Sequence, residues 1–418
     1  MVVIAGVVVG SLVASACSSS KSSSSASSTP TSGGGASDVL GPSKAATGTP
    51  VKIGYITDGK GQSIDDSSEV PAAQAAAKYA NEHLGGIAGH PIELDVCDDH
   101  QTPAGTTDCA NQMVTDKVPV VLNNVTGNGD PLLKNIAAAN IPLVAYASSV
   151  QSILFSKDAY VLTNGITAAF AGPAKIGQLA GAKHGAVFVI DVPAASGPAK
   201  ALDPPIFKNA GIVPVDVVPI APGTADMTPQ VQAELGKSPD IVQVFGDVTF
   251  CTSALKALKT LGYSKTLVLI AQCIDANSAK SIPGGYAGMK LVTSYSTDPA
   301  DPDVKLYKAA MAQYSPGANP YANGVTPGGF ATVLGLVRGM SGLTTGDVTS
   351  DSVASTLTAM APVPLPFGGG ATFQCNRQQV TITPAICSTG ALAATLDQNG
   401  QPQGAFEPLD AGPLLKLG

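Results

Sequence analysis

Apolar runs of seven or eight residues recur along the chain from Val51 onward. Most are near-continuous stretches of Val, Ile and Leu, which is typical of parallel strands buried on both faces of a sheet. The runs predict nine strands, at residues 51–57, 91–97, 118–124, 141–147, 186–192, 213–220, 240–246, 266–272 and 290–296.

Between these runs, apolar residues recur at the spacing of one helix face. Residues 70–84 place Val70, Ala77 and Leu84 on the same face, and Gly85 is a suitable residue to end the helix. Further helices are predicted at residues 252–261, 302–315 and 328–343. The alternation of strands and helices predicts doubly wound parallel sheets with right-handed crossovers.

The alternation occurs twice, within residues 51–147 and again within 186–296, and residues 160–167 predict a strand that crosses between the two sets. After Pro362 the pattern becomes β-like. The β-like runs lie at residues 371–375, 379–383 and 391–397, with a turn signal at 397–400.

The fold class is therefore predicted to be α/β, with two doubly wound parallel-sheet lobes joined by a hinge of several crossings. The expected lobes are residues 51–162 plus 297–361 and residues 163–296 plus 362–418. Open α/β sheets bind ligands beyond the carboxyl ends of their strands, so two such edges facing each other predict a ligand cleft between the lobes.

The N-terminal segment has a different character. Residues 1–16 form an uncharged apolar run that is too short for a comfortable membrane span, and they resemble the apolar part of a signal peptide. The stretch LVASAC (residues 12–17) resembles a bacterial lipobox, which implies lipidation of Cys17. Residues 18–50 are dominated by Ser, Ala, Gly, Thr and Pro and predict a disordered tether. The order of signal peptide, lipidated cysteine and tether predicts an extracytoplasmic domain that is lipid-anchored to the cell membrane.

Composition and motifs limit the kinds of partner and activity that are expected of this chain. The 418 residues carry a net charge of −7, and only 13% of them are charged, so the chain has no basic stripe that would bind nucleic acid. No phosphate-loop, nucleophile-elbow or zinc-protease motif is present, and we expect neither enzymatic activity nor a cofactor. Asp98, Asp99 and His100 are adjacent but have no further His at ligand spacing, so they are expected to form a turn or a helix cap, and no metal site is predicted.

Six cysteines remain when Cys17 is set aside, and an even number in an exported chain suggests disulfides. Fifteen connectivities are possible, but the six residues fall into three local pairs. Spacing favours the pairs Cys97–Cys109, Cys251–Cys273 and Cys375–Cys387.

Several segments together resemble the branched-chain amino-acid-binding family of ABC transporter substrate-binding proteins, which have the type I periplasmic-binding fold. Residues 80–103 match the family's pattern N-x-x-GGI-x-G-x-x-I-x-L-x-x-x-DD, and this is the specific block. Residues 51–63, 141–149 and 220–246 resemble the first strand with its ligand loop, a strand and loop of the first lobe, and a stretch of the second lobe.

The resemblance implies ligand contacts on the first lobe. The loop at residues 123–129 corresponds to one that binds a ligand carboxylate, which implies contacts from the Thr126 hydroxyl and the backbone N–H groups of Gly127 and Asn128. The loop that begins after strand 141–147 implies a further hydroxyl, from Ser148 or Ser149. The alternative is that these residues only form turns.

The second lobe departs from the family. Where amino-acid receptors place a Tyr, this chain has small residues ending at Ser196, and the position after strand 266–272 lacks the usual carboxylate. Ser196, Asp247 and Gln272 are therefore the expected contacts there. An α-amino acid, an amide, a hydroxylated compound and another acid all stay open as ligands.

The resemblance implies a monomeric solute-binding lipoprotein that delivers a small polar molecule to the permease of an ABC importer. The alternative is a tethered ligand sensor or interaction protein of the same fold without a transport role.

Overall fold

The structure is a computed structural model that describes residues 36–61, 65–165, 167–322, 325–380 and 382–416. Cys17 and most of the predicted tether therefore lie outside the described residues. Within the described part of the chain, no helix combines the length and apolar character needed to cross a bilayer.

The first sheet is parallel throughout, with the strand order β2-β1-β3-β4-β5. Its strands are β1 (Val51–Thr57), β2 (Ile92–Asp98), β3 (Val121–Asn123), β4 (Leu143–Ala145) and β5 (Ala159–Val161). The helices before and between them are α1 (Ala36–Leu40), α2 (Glu69–Tyr79), α3 (Pro103–Thr115), α4 (Gly129–Ala138) and α5 (Gln151–Leu154). A π-helical turn, Ala80–Leu84, extends α2 and ends at Gly85, whose φ of 80° is left-handed.

Both faces of this sheet are buried, as its apolar runs predict. Ile53 and Tyr55 of β1 point into a core made with α2 and the later helices, whereas Ile56 points into a core made with α3 and α4. The reversal of strand order after β2 places α2 and α3 on opposite faces, which is the consequence of right-handed crossovers.

The second sheet repeats this topology and adds an antiparallel edge, in the order β14-β13-β10-β9-β8-β6-β7. Its strands are β6 (Gly185–Ile190), β7 (Val215–Ile220), β8 (Ile241–Phe245), β9 (Thr266–Ile270), β10 (Lys290–Thr293), β13 (Gly390–Leu396) and β14 (Pro402–Asp410). Its helices are α6 (Gly172–Leu179), α7 (Pro193–Asn209), α8 (Thr228–Leu235) and α9 (Val248–Thr260). Helices α8 and α9 pack against each other.

Three more helices and a short ribbon follow the first five strands of this sheet and complete the first lobe. They are α10 (Pro302–Tyr314), α11 (Thr326–Gly339), α12 (Ser350–Ala359), β11 (Val363–Pro364) and β12 (Thr372–Phe373). Their apolar residues join the same core as α2. The chain therefore passes between the lobes three times, after β5, after β10 and before β13.

Two segments belong to a different part of the structure from the one that was predicted for them. Residues 36–50 belong to the folded part rather than to a tether, because Leu40 is buried and the Lys44 N–H donates to the Glu82 carbonyl at 2.8 Å. Residues 363–387 were expected in the second lobe, yet Val161 of β5 exchanges backbone hydrogen bonds of 2.8 Å with Ala385 and Cys387, which places this segment on the first sheet. The other lobe boundaries stay a proposal.

Most predicted elements are present within one to four residues of their expected limits. Residues 160–167 differ, because β5 ends at Val161 and a π-helical turn spans Thr167–Ala171. The predicted strand at 379–383 is absent from the described part of that segment, where the Thr383 N–H instead closes a turn on the Val380 carbonyl.

Candidate functional site

The carboxyl ends of β1, β3 and β4 lie side by side at one edge of the first sheet. Pairing continues past the strands, since the Tyr146 N–H donates to the Asn123 carbonyl at 3.2 Å and the Ala147 N–H donates to the Asn124 carbonyl at 3.0 Å. The loops that carry Thr126 and Ser148 therefore leave the sheet next to each other.

The Thr126 loop is folded around its own side chain. Thr126 is buried, and its hydroxyl oxygen accepts the Asn128 N–H at 3.0 Å, at the start of α4. Gly127 is exposed, and Asn128 is half-buried. The turn interpretation thus holds for part of this loop, and the predicted ligand contacts remain a prediction.

Asp58, which follows β1, faces this loop. Burial raises the pKa of the Asp58 carboxyl to about 6, while hydrogen bonds from the Thr126 hydroxyl and the Gly127 N–H oppose the rise. The Asp99 and Asp66 carboxylates raise the same pKa further. Two of the three donors that the resemblance assigns to a ligand carboxylate, the Thr126 hydroxyl and the Gly127 N–H, thus lie next to a carboxyl group of the protein.

A second buried carboxyl group, that of Glu69, lies close enough to Asp58 for the two to influence each other. Glu69 begins α2 and is only 1% exposed, and its Oε2 accepts a hydrogen bond of 2.8 Å from the Asn124 side-chain amide. Burial raises the pKa of Glu69 to about 7, although Thr57 and Asn124 lower it. Asn124 also donates to the Val325 carbonyl at 3.0 Å, so one amide connects β3 to the starts of α2 and α11.

The β4 loop presents its two serines differently. The Ser148 hydroxyl oxygen accepts the Val150 N–H at 3.1 Å and is half-buried, whereas Ser149 is exposed. Ser149 is therefore the more accessible hydroxyl of the two.

On the second lobe, β6, β8 and β9 are neighbours, and the predicted contacts follow their carboxyl ends. Asp247 is exposed and caps α9, because its carboxylate accepts the Phe250 N–H at 2.9 Å. Gln272 is exposed on a short 3-10 turn. Ser196 is buried in α7, where its hydroxyl donates to the Val192 carbonyl at 3.2 Å, so it is the least available of the three.

The three predicted disulfides are confirmed. Cα–Cα separations are 5.6 Å for Cys97–Cys109, 5.3 Å for Cys251–Cys273 and 4.2 Å for Cys375–Cys387. The middle bond joins α9 to the turn that carries Gln272, so it lies between the two exposed polar residues of the second lobe.

The acidic pair at the end of β2 forms a turn and supports the next helix. The Asp98 carboxylate accepts the His100 N–H at 2.8 Å, and the Asp99 carboxylate accepts the Thr106 hydroxyl at 2.6 Å. Thr102 caps α3 by accepting the Gly105 N–H at 3.0 Å. The expected cap or turn is thus observed.

Sequence reasoning missed Asp58, Glu69 and Asn124. Asp58 directly follows a predicted strand, so the rule that ligand-facing residues follow strand ends could have identified it. Glu69 carried no comparable signal, because burial of one acidic residue at the start of a helix is invisible in a hydrophobic pattern.

Comparison with known proteins agrees with this architecture. The sequence model of the periplasmic binding protein family matches residues 50–386. A search of curated protein sequences gives no significant match.

Solved structures share the fold at low sequence identity. A putative branched-chain amino acid ABC transporter protein from Rhodospirillum rubrum aligns with a TM-score of 0.69 at 16% identity, covering 86% of this chain and 100% of that one. The branched-chain amino acid transporter substrate-binding protein LivJ from Streptococcus pneumoniae, in complex with isoleucine, gives 0.60 at 17% identity, covering 86% and 99%. A solute-binding protein from R. palustris, in complex with 4-hydroxybenzoate, gives 0.61 at 16% identity, covering 86% and 95%. The predicted two-lobed α/β fold is confirmed.

Proposed function

Because this chain belongs to the periplasmic binding protein family, we propose that it captures a small polar molecule between its two lobes and delivers it to an ABC importer. The observation that carries the proposal is the pair of parallel-sheet edges, each of which ends in hydroxyl, amide and carboxyl groups. The first lobe offers Thr126, Gly127 and Ser149, and the second offers Asp247 and Gln272. This is a binding function without catalysis.

The environment of Asp58 supports a more specific ligand class. The Asp58 carboxyl group lies beside Thr126 and Gly127, and its buried Oδ1 has no hydrogen-bond partner among the described residues, so a ligand carboxylate placed there would meet a protein carboxylate. A ligand amide, hydroxyl or ammonium can donate to Asp58 instead. We therefore propose that the group bound by the first lobe is a hydrogen-bond donor.

Mass spectrometry of the small molecule that co-purifies with the protein identifies the ligand, which is then titrated by calorimetry. Thr126→Ala and Asp247→Ala should each weaken binding by about tenfold, because the first removes the hydroxyl beside Asp58 and the second removes a hydrogen bond to the ligand. Thr107→Ala and Asp108→Ala are matched controls on α3, at positions that are not assigned to the site, and should leave the affinity unchanged. Unchanged affinity in folded Thr126→Ala and Asp247→Ala variants would reject this cleft.

Transport is tested separately from binding. Cells that lack the chain should lose uptake of the labelled ligand, and the wild-type gene should restore it. Normal uptake without the chain would reject the transport role and favour the tethered sensor.

We also propose that Cys17, outside the described residues, carries the lipid anchor. One acyl chain gives only marginal membrane binding, so more than one is expected. Cys17→Ser should move the protein from the membrane fraction into the medium, and a variant that stays quantitatively in the membrane would contradict the anchor.

A further inference from the structure

A cluster of ionisable side chains lies at the amino end of the second sheet, opposite the edge that carries Asp247 and Gln272. His184 precedes β6, Asp216 lies on β7, and Glu234 lies in the last turn of α8. One ring nitrogen of His184 and one oxygen of each carboxylate all lie within 4.8 Å of one another. Three separate parts of the lobe thus each place one potential metal-ligand atom near the same point.

The hydrogen bonds of His184 fix which nitrogen faces the carboxylates. Its Nδ1 lies 3.0 Å from the Lys237 carbonyl oxygen, which can only accept, so Nδ1 must carry a proton. Its Nε2 lies 2.8 Å from Asp216 Oδ2, which is also an acceptor. The Nε2 atom therefore faces a carboxylate oxygen, and the contact needs a positive charge, which either a proton on Nε2 or a bound metal ion supplies. A ring whose other N–H donates to a backbone carbonyl is the usual arrangement of a metal-binding histidine.

Glu234 supplies an independent indication. Its side chain is 4% exposed, and its Oε1 is buried without a hydrogen-bond partner among the described residues. Its Oε2 accepts the Lys237 ammonium at 2.9 Å, and the same ammonium lies 3.2 Å from Asp216 Oδ1. A buried carboxylate normally has all of its oxygens paired, so the spare oxygen indicates a missing cationic partner.

Charge also favours a divalent ion. With a neutral His184, the charges of Asp216, Glu234 and Lys237 sum to −1. Lys237 is about half exposed, at 52%, and its flexible stem allows the ammonium to move into solvent. A divalent cation in its place would neutralise the two carboxylates.

We propose that His184, Asp216 and Glu234 form a Zn²⁺ site in which the metal displaces the Lys237 ammonium. One imidazole nitrogen and two carboxylate oxygens are a ligand set that zinc accepts, with a fourth position for water. Tetrahedral bonds of about 2.0 Å separate the donors by roughly 3.3 Å, so the His184 Nε2 and Asp216 Oδ2 must move apart by about half an ångström. The backbone of His184 is fixed, since its N–H donates to Asp240 Oδ2 at 3.1 Å, and Asp216 is the partner that moves.

The role of this site is to hold β6, β7 and α8 together at the end of the lobe that lies away from the cleft. It is independent of the solute-binding proposal, because none of its residues follows the carboxyl end of a strand. Zinc binding should therefore raise the melting temperature whether or not a solute is present.

Calorimetric titration of tag-free, chelator-treated protein with Zn²⁺ tests the proposal. We expect one equivalent to bind, His184→Gln to weaken binding by at least about tenfold, and Lys237→Gln to strengthen it by removing the competing ammonium. His100→Gln is the matched control, because His100 is also a histidine beside an aspartate, 3.2 Å from Asp98 Oδ1, but is exposed. It should bind zinc as the wild type does.

Two readouts keep the test decisive if His184→Gln does not fold. Glu234→Gln preserves side-chain volume and should also weaken binding by about tenfold or more. The absorption spectrum of the Co²⁺-loaded wild type should be that of a tetrahedral site with nitrogen and oxygen ligands. The proposal is overturned by an absence of binding at millimolar Zn²⁺, by unchanged binding in His184→Gln, or by an octahedral Co²⁺ spectrum.

Discussion

Glu69 is a carboxyl group held almost out of water at the start of α2. Its burial raises its pKa to about 7, and the Asp66 and Asp58 carboxylates add to the rise, while Thr57 and Asn124 lower it. Ionisation of this group in the folded state is therefore less favourable than in the unfolded chain, where its pKa is close to 4.5. The hydrogen bond from Asn124 is compatible with either protonation state, because a carboxyl oxygen accepts in both.

The raised pKa predicts that Glu69 costs stability at alkaline pH. The folded state holds its proton to higher pH, so the contribution of Glu69 is fully present below pH 4.5 and is lost as the pH rises through 7. The loss amounts to about 3 kcal/mol by pH 8. Glu69→Gln keeps the hydrogen-bond acceptor and cannot ionise, so it should match the wild type at pH 4 and exceed its stability by about 3 kcal/mol at pH 8.

Urea unfolding at the two pH values measures this difference. Glu93→Gln, which changes an exposed glutamate on β2, is the control and should show no pH-dependent gain. The same stability difference for Glu69→Gln at both pH values would contradict the interpretation.

For single residues, the sequence predicted which positions lie near the site better than it predicted what each side chain does there. Thr126 was singled out by the family resemblance and Asp247 by its place at the end of a strand, yet the structure also gives Asp247 a capping role and brings Asp58 close to Thr126. His184 precedes a strand and carries no sign in the sequence of being covered, but Lys237 and Asp216 both contact its ring. Contacts between distant residues decide these environments, and periodicity carries no information about them.

Among the contacts between elements, the disulfide that links α9 to the turn after β9 is the one closest to the proposed site. Cys251 lies in the first turn of α9, and Cys273 ends the 3-10 turn with its sulfur buried. The bond closes a loop with a sequence separation of 22 residues, and such closure restricts the unfolded chain by about 3 kcal/mol. It also limits movement of Gln272 relative to Asp247.

We predict that the double variant Cys251→Ala with Cys273→Ala folds, loses about 3 kcal/mol in urea unfolding, and binds the identified ligand more weakly. The double variant Cys97→Ala with Cys109→Ala is the control, because that bond has a similar cost but joins β2 to α3. It should lose similar stability and keep its affinity. Equal affinities in the two double variants would show that Cys251–Cys273 acts only on stability.

The elements that the sequence predicted well are those with long apolar runs. The errors arise where hydrogen bonds that a hydrophobic pattern does not show decide the backbone conformation. Residues 160–167 read as a strand, but the Asn164 side-chain oxygen accepts the Thr167 N–H at 2.9 Å and starts a helical turn instead. Residues 41–49 read as a tether, but the Ala46 and Gly48 N–H groups donate to carbonyls near the end of α2 and in the turn that follows. Such backbone partners come from remote parts of the chain, so composition cannot indicate them.

For the molecule as a whole, the doubly wound α/β character of both lobes is the feature that the sequence predicted most directly. The strand order 2-1-3-4-5, which both sheets share, was not predicted, because strand–helix alternation and crossover handedness allow more than one order. The antiparallel pair β13–β14 and the return of residues 385–387 to the first sheet were not predicted either. A β-like run does not indicate which sheet a strand would join.

The chain passes three times between the lobes, and we propose that these connections form a hinge about which the lobes rotate while each sheet stays intact. A ligand that contacts Ser149 on one lobe and Gln272 on the other can do so only when the two edges approach each other, so binding should favour the closed arrangement. We predict that spin labels at Lys134→Cys on α4 and Lys256→Cys on α9, both exposed and outside the proposed site, move closer together when the identified ligand is added. Pulsed electron resonance distances in a Cys17→Ser background measure the change.

Labels at Lys134→Cys and Asp108→Cys, both in the first lobe and both exposed, provide the control and should keep their separation. A shift in the first pair without a shift in the control pair means that the lobes move as rigid bodies. If calorimetry shows the ligand bound while the distance between the labels at 134 and 256 stays constant, the ligand does not bridge the two lobes and hinge closure is not part of binding.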